Sequence, residues 1–303
     1  MRREIVIGSR GSRLALIQAN LVVAQIRQVN PDFKIRISQV VTKGDRNHHI
    51  QLDHMEGIGI FVKELDEALL ENRIDLAVHS LKDIPTQIPS GLRLTAVTKR
   101  LDPRDVLVPR GEKLAEMAPG SKIGTGSLRR TIQLTAYRPD LEVCTIRGNV
   151  DTRLRRVEEG EFTGLILAAA GLKRLGWAEK ISEYLPLEHF LPAAGQGALA
   201  IELRSDDKEV MEIVSALNHL PTWQSITAER AFLYSLGGGC RAPIAALGRV
   251  NGTTLNLEGM VADGSGKKII RASIEGSVAS PEETGVRLAQ NMLKMGAAKF
   301  FMR

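Results

Sequence analysis

The segment EIVIGSRGSRLALIQANLVVAQIRQ, residues 4–28, changes its period part-way. Its apolar start reads as a short strand that breaks at Gly8-Ser9. Leu14, Ile17, Leu21 and Ala24 then recur at helical spacing on one face. A strand that passes through a glycine-rich turn into a helix is the opening of an α/β unit. The stretches that follow keep the alternation. Residues 34–42, KIRISQVVT, alternate as a strand; residues 59–73 are helical, with Phe61, Leu65, Ala68 and Leu69 spaced to face a core; residues 74–80, IDLAVHS, read as a buried strand. Largely parallel pairing is expected.

The same device returns further along. Residues 121–140, SKIGTGSLRRTIQLTAYRPD, are a second strand, glycine-rich turn and helix. Residues 141–161 run from a strand into a basic helix, and 163–176 read as a strand with a basic end. A second α/β unit is therefore expected over about 103–191. The stretches IGSRGSRLALIQA and IGTGSLRRTIQLTA carry the device once in each unit. The last eighty or so residues differ. ITAERAFLYSLGGG is a helix stopped at Gly237, and PIAALGRV, TTLNLEGMVAD and KKIIRASIEG are three strands punctuated by Asn251-Gly252 and DGSG. That is an antiparallel meander, and PEETGVRLAQNMLKMGAAKF closes it with a helix.

The chain has 303 residues, 43% apolar and 25% charged, the composition of a globular protein with room for two or three domains. Nothing near the start is apolar for long enough to be a signal peptide or a span, so a cytoplasmic location is expected. The net charge of +6 allows nucleic acid, a membrane surface or small acidic ligands as partners. Acidic residues are interspersed, and aromatics are only 4%, too few to stack bases among the basic residues. The two cysteines, Cys144 and Cys240, make no disulfide framework. Cys144 reads as a packed core thiol, whereas Cys240 ends the bare loop SLGGGC. His48, His49 and His54 match no common zinc spacing, and no metal is expected.

Both glycine-rich turns lead into helices that begin with Arg10 and Ser12, and with Thr125, Ser127, Arg129 and Arg130. A helix start offers unpaired N–H groups, hydroxyls add donors, and a guanidinium fits a carboxylate or phosphate as a fork. One such turn would ordinarily be a cap beside solvated arginines; several in one chain favour anion binding. Neither turn is a Walker loop or a dinucleotide fingerprint. Arg147 follows a strand directly, where ligands of α/β sheets sit, and Arg153 and Arg156 share a helix face. Asp83, in AVHSLKDIP, ends a buried strand. It reads either as a turn aspartate or as a carboxylate set opposite many arginines.

Together, VHSLKDIP, GTGSLRR, RGNVDTRL, AGLKRLG, PAAGQGA and GGGC follow one another in the order and spacing of the porphobilinogen deaminase (hydroxymethylbilane synthase) family, and the resemblance covers nearly the whole chain. It implies two periplasmic-binding-protein-like α/β domains flanking a cleft, residues 1–98 with 198–216 and residues 103–191, plus an α+β domain with a three-stranded antiparallel sheet, residues 220–303. It also implies that GALAIELRS returns to the first domain as a strand. The implied activity is a transferase of tetrapyrrole biosynthesis. Four porphobilinogen molecules are joined head to tail, four ammonias leave, and hydrolysis frees a linear tetrapyrrole.

By the same resemblance a dipyrromethane cofactor is linked by thioether to Cys240, and Asp83 is the catalytic carboxylate. Asp83 would steady the positive azafulvenium left when ammonia departs. Arg10, Ser12, Gln18, Lys82, Thr125, Ser127, Arg129, Arg130, Arg147, Arg153 and Arg174 match the binders of cofactor and substrate. No metal, nucleic acid or membrane is implied; a monomer that hands its product to the next pathway enzyme is. Four departures stand out. Ile58 replaces the lysine of a Gly-Lys-Gly stretch, Gly126 replaces a serine, Arg13 stands for proline and Gly237 for glutamate. Two other readings compete. A non-enzymatic anion-binding module would have no use for Cys240 or a third domain, and a nucleic-acid binder would show a continuous basic stripe.

Overall fold

The computed structural model describes residues 4–29, 31–42, 62–237 and 243–301. His48, His49, His54, Ile58, Phe61 and Cys240 lie outside the described residues. The chain divides into two compact units, residues 1–101 with 198–223, and residues 102–197 with 224–303.

In the first unit the strands are β1 (Ile5–Ser9), β2 (Ile35–Gln39), β3 (Leu76–Ser80), β4 (Leu92–Val97) and β10 (Leu199–Arg204). Among the described residues they form one five-stranded sheet in the order β2-β1-β3-β10-β4. β1 pairs parallel with β2 and β3. β10 enters antiparallel between β3 and β4, so the late segment GALAIELRS supplies an inner strand. Every residue of β10 is buried, which explains its near-continuous apolar run.

Helix α1 (Arg13–Val29) covers one face of this sheet. Its buried residues are Ala15, Gln18, Ala19, Val22, Val23 and Ile26. This corrects the expected face: Leu21 is 43% exposed, and Leu14 and Ile17 are only half-buried. The helix is apolar on most of its circumference, so periodicity alone did not select a side. The face that won carries Ala15 and Ala19, and small side chains let a helix approach a sheet closely. Each fully buried Val or Ile on it contributes about 1.5–3 kcal/mol. Helix α2 (Lys63–Leu70) covers the opposite face through Leu65, Ala68 and Leu69, packed with Ala77 and Ile74.

The second unit repeats the plan. Its strands are β5 (Asp105–Pro109), β6 (Lys122–Thr125), β7 (Glu142–Thr145), β8 (Gly164–Ala168) and β9 (Glu183–Tyr184), in the order β7-β6-β8-β5-β9. β6 pairs parallel with β7 and β8, and β5 runs antiparallel between β8 and β9. Helices α3 (Leu128–Tyr137) and α4 (Val150–Glu158) make the crossovers. A further helix, α5 (Ala169–Arg174), follows β8, so the expected strand with a basic end is a strand and then a short helix. Cys144 is half-buried against the core of this sheet.

The same unit holds the meander, β11 (Ile244–Asn251), β12 (Thr254–Ala262) and β13 (Ile269–Ser277), antiparallel throughout. Helix α6 (Lys208–Ser215) belongs to the first unit, capped by Asp207 accepting from Val210 N at 3.2 Å. Helices α7 (Leu220–Ser235) and α8 (Pro281–Lys294) supply one layer against the meander. Gly237 takes φ +68°, the left-handed geometry that stops a helix. Glu229, fully buried on α7, accepts Gly195 N and Gly248 N at 2.7 Å each, tying the meander to the segment after β9. α8 lies so close to α7 that a Cβ on Gly285 would stand 2.2 Å from the Ala228 carbonyl oxygen. Gly285→Ala is therefore expected to cost about 1–3 kcal/mol through forced separation of the helices. Chemical denaturation would show it as a lower midpoint with an unchanged slope.

Candidate active site

In the first unit, β1 ends at Ser9 and α1 begins at Arg13, leaving Arg10-Gly11-Ser12 as the turn. Ser12 caps the helix: its Oγ accepts from Ala15 N at 3.3 Å and its carbonyl from Leu16 N at 3.0 Å. One turn in, Gln18 is buried and donates Nε2–H to Ser80 Oγ at 2.8 Å, fastening the helix start to the end of β3. A 3-10 turn, Leu81–Asp83, follows β3. Leu81 and Ile84 are buried on either side of it, and Leu81 N donates to Ala198 O at 3.1 Å. Lys82 and Asp83 are left exposed between two anchored apolar residues.

Arg10, Ser12, Gln18 and Asp83 line one pocket of about 80 Å³, together with Val62, His79 and Ser80. Residues far apart in sequence thus meet at the carboxyl ends of parallel strands, where α/β sheets bind ligands. His79 was quoted in the motif but not singled out. Its signal was present: a polar residue inside an otherwise apolar, buried strand.

The other sequence candidates lie in the second unit. Thr125 ends β6 and is buried, its Oγ1 accepting from Ser127 N at 3.3 Å. Ser127 is the N-cap of α3, and its own side chain makes no cap bond. Arg129 and Arg130 are expected from the sequence as anion-binding forks, and the carboxylate they bind in the structure is one of the chain's own. Both are buried, and both bind Asp105 at the start of β5, at 2.7 and 2.8 Å. Arg129 also donates to Leu191 O, and Arg130 to Ile166 O. Burial pushes the Asp105 carboxyl up, but the two guanidiniums outweigh it and hold it well below the usual carboxylate range. Burial also lowers Arg129, against the pull of Asp105. One carboxylate for two guanidiniums leaves this buried cluster an excess positive charge at the helix start.

Arg147 follows β7, and Arg153 Nε donates to Gly148 O at 2.8 Å, closing the turn into α4. Arg155 and Arg156 pair with Glu159 and Glu161 on the surface. Arg174, at the end of α5, donates to Gly197 O at 2.8 Å. Its Nε is buried with no hydrogen-bond partner among the described residues, and burial pushes the guanidinium down to about 10. A buried guanidinium with an unused N–H calls for an anion. Among the described residues no group of three or more His, Cys, Asp or Glu is arranged to hold a metal ion. Within each unit the donors suit carboxylate groups.

Residues 5–212 match the family model described as porphobilinogen deaminase, dipyromethane cofactor binding domain, and residues 223–294 match the porphobilinogen deaminase C-terminal domain. The chain belongs to the porphobilinogen deaminase family. The porphobilinogen deaminase of Geotalea daltonii is 46% identical over 294 residues, covering 97% of this chain and 92% of that one. That of Desulforudis audaxviator is 47% identical over 304 residues, covering 100% and 98%. Among solved structures, the VFT2 domain of Bordetella pertussis BvgS aligns with a TM-score of 0.42 at 17% identity, over 70% of this chain and 84% of that one. That likeness carries no weight in the assignment.

As a porphobilinogen deaminase the chain is a transferase of tetrapyrrole biosynthesis, built around a dipyrromethane cofactor. It polymerises porphobilinogen with release of ammonia and yields hydroxymethylbilane. The reading as a non-enzymatic anion-binding module is not favoured. The arginines and helix starts of this deaminase match its substrate chemistry, since every pyrrole ring of the growing chain carries an acetate and a propionate.

Proposed function

We propose that Asp83 is the catalytic carboxylate of this porphobilinogen deaminase. The observation that carries the assignment is its place in one pocket with Arg10, Ser12 and Gln18. A pyrrole N–H is a donor that needs an acceptor, and loss of ammonia leaves positive charge on the substrate's aminomethyl carbon. The Asp83 carboxylate serves both needs from one position. It also takes part in proton transfer at the departing amine and at the ring carbon being substituted. Arg10 and Lys82, with the N-terminus of α1 and Ser12, take the carboxylates of the incoming ring. Gln18 keeps the helix start on Ser80.

Thr125, Ser127, Arg147, Arg153 and Arg174 take the carboxylates of the cofactor and the lengthening chain. Arg129 and Arg130, fixed by Asp105, add their excess charge to that set. When bound, the dipyrromethane supplies the nucleophilic ring carbon to which the first unit is joined. Cys240 would hold it through a thioether, and the glycines that precede it in the sequence carry no side chain to crowd the sulfur. The polypeptide works as three domains, residues 1–98 with 198–216, 103–191 and 220–303. It acts as a cytoplasmic monomer that passes hydroxymethylbilane to the next enzyme.

Purified protein incubated with porphobilinogen should release ammonia and linear tetrapyrrole in a ratio of four to one. Binding of porphobilinogen with no ammonia released would leave the anion-binding module as the better account.

A further inference from the structure

Beside the pocket, three titratable side chains stand together that the reaction above does not use. His79 on β3 and Glu202 on β10 are 5% and 0% exposed. The strands pair His79 with Ala200 and Ala77 with Glu202, so all four side chains share the face covered by α2. The two alanines leave room for the longer pair to meet on the diagonal, and His79 Nε2 lies 3.1 Å from Glu202 Oε2. Asp66, on α2, is close enough to Glu202 for their carboxyl groups to interact directly. Val62, one turn before Asp66 and bonded to it through the backbone, lines the pocket, as His79 does.

Oδ1 of Asp66, both carboxylate oxygens of Glu202 and Nε2 of His79 are buried with no well-aligned hydrogen-bond partner among the described residues, although His79 and Glu202 stand within ion-pair distance. Ionised carboxylates only accept hydrogen bonds, so these two can bond to each other only through a shared proton. We propose that Asp66, Glu202 and His79 form one proton-sharing array that sets how strongly the neighbouring pocket accepts carboxylate ligands. This rests on the reading of that pocket as the porphobilinogen site.

A protonated Asp66 adds no charge to the array. Loss of its proton adds one negative charge beside a pocket lined by Arg10 and Ser12. Burial, and then the Glu202 charge, push the Asp66 carboxyl up to about 7, so this loss falls in the working pH range. The other charged groups around the array are Glu64 and Glu67 from α2, which push Asp66 up further, Arg204 from β10, and Arg10 and Asp83, which line the same pocket; Lys82 is exposed in the turn after β3. Arg204 is already engaged by Asp75 and Asp207, and Lys63 pairs with Glu67, so neither is given over to Asp66. The ligand carboxylates are repelled as pH rises, and bound ligand in turn raises the proton affinity of the array.

Asp66→Asn keeps a donor toward Glu202 and cannot ionise, so the array cannot gain that charge. On the cofactor-loaded enzyme, the KM for porphobilinogen in the wild type should rise about fivefold from pH 6.5 to 8.5. In Asp66→Asn it should stay flat, with the difference confined to KM rather than kcat. Infrared difference spectra across the same pH range should show a protonated carboxyl band lost near neutrality in the wild type and missing in the variant. The same KM–pH curve in both proteins would overturn the proposal. So would a wild type with no carboxyl titrating between pH 5.5 and 8.5, a result that needs no variant to fold. The infrared titration is read without turnover, so its outcome is separate from any failure of the pocket as the porphobilinogen site.

Discussion

Asp83→Asn is expected to lower turnover about a thousandfold or more while leaving the protein folded. Asparagine keeps the size of the side chain but removes the negative charge, and it can present an N–H where the pyrrole N–H needs an acceptor. Losing one group aimed at charge that develops in the transition state costs about 10²–10³ in kcat, and losing a proton-transfer group about 10²–10⁴. Stability should not move by more than about 0.5 kcal/mol, because Asp83 is exposed while Leu81 and Ile84 anchor its turn. Single-turnover assays on protein of unchanged melting temperature would isolate the chemical step. Turnover within a few-fold of wild type would remove Asp83 from the mechanism.

The second large effect is chemical rather than kinetic. Cys240→Ser should yield protein whose intact mass equals the sum of its amino acids and which gives no pyrrole colour reaction. A serine hydroxyl is a far weaker nucleophile than a thiol at neutral pH without a base to activate it. Wild-type protein should weigh more by one dipyrromethane and give the colour. Polymerisation should be lost with the adduct, since the chain would have nothing to grow on. An adduct retained in Cys240→Ser, or one attached to Cys144, would move the attachment point. Cys144 is a poor substitute: burial and Glu142 both push its thiol up, away from the reactive thiolate.

Much of this was legible in the residues. The glycine-rich turns, their helices and the parallel cores follow from changes of period, and Arg10, Ser12 and Asp83 stand where strands end. Local patterns were weaker wherever a partner lay far along the chain. Arg129 and Arg130 read as forks for a bound anion, and their pairing with Asp105 is hidden because that residue sits in a strand more than twenty residues earlier. The face of α1 was misplaced because apolar residues surround most of that helix, and tertiary packing chose among them. His79 and Glu202 each look like an isolated polar residue in a strand; only the β3–β10 register brings them together. That residues 199–204 would return to the first unit as a strand followed from family resemblance, not from periodicity; their place between β3 and β4 comes from the ladder alone.

The position of β10 bears on how the polypeptide is made. Residues 1–101 emerge from the ribosome without the strand that fills the gap between β3 and β4, and that strand arrives only about a hundred residues later. Until then the facing edges of β3 and β4 have no ladder to join, a state in which nascent chains are prone to stick to one another. The amino-terminal portion therefore cannot mature first in the usual order of synthesis. Its completion waits until the intervening segment, 102–197, has been threaded out.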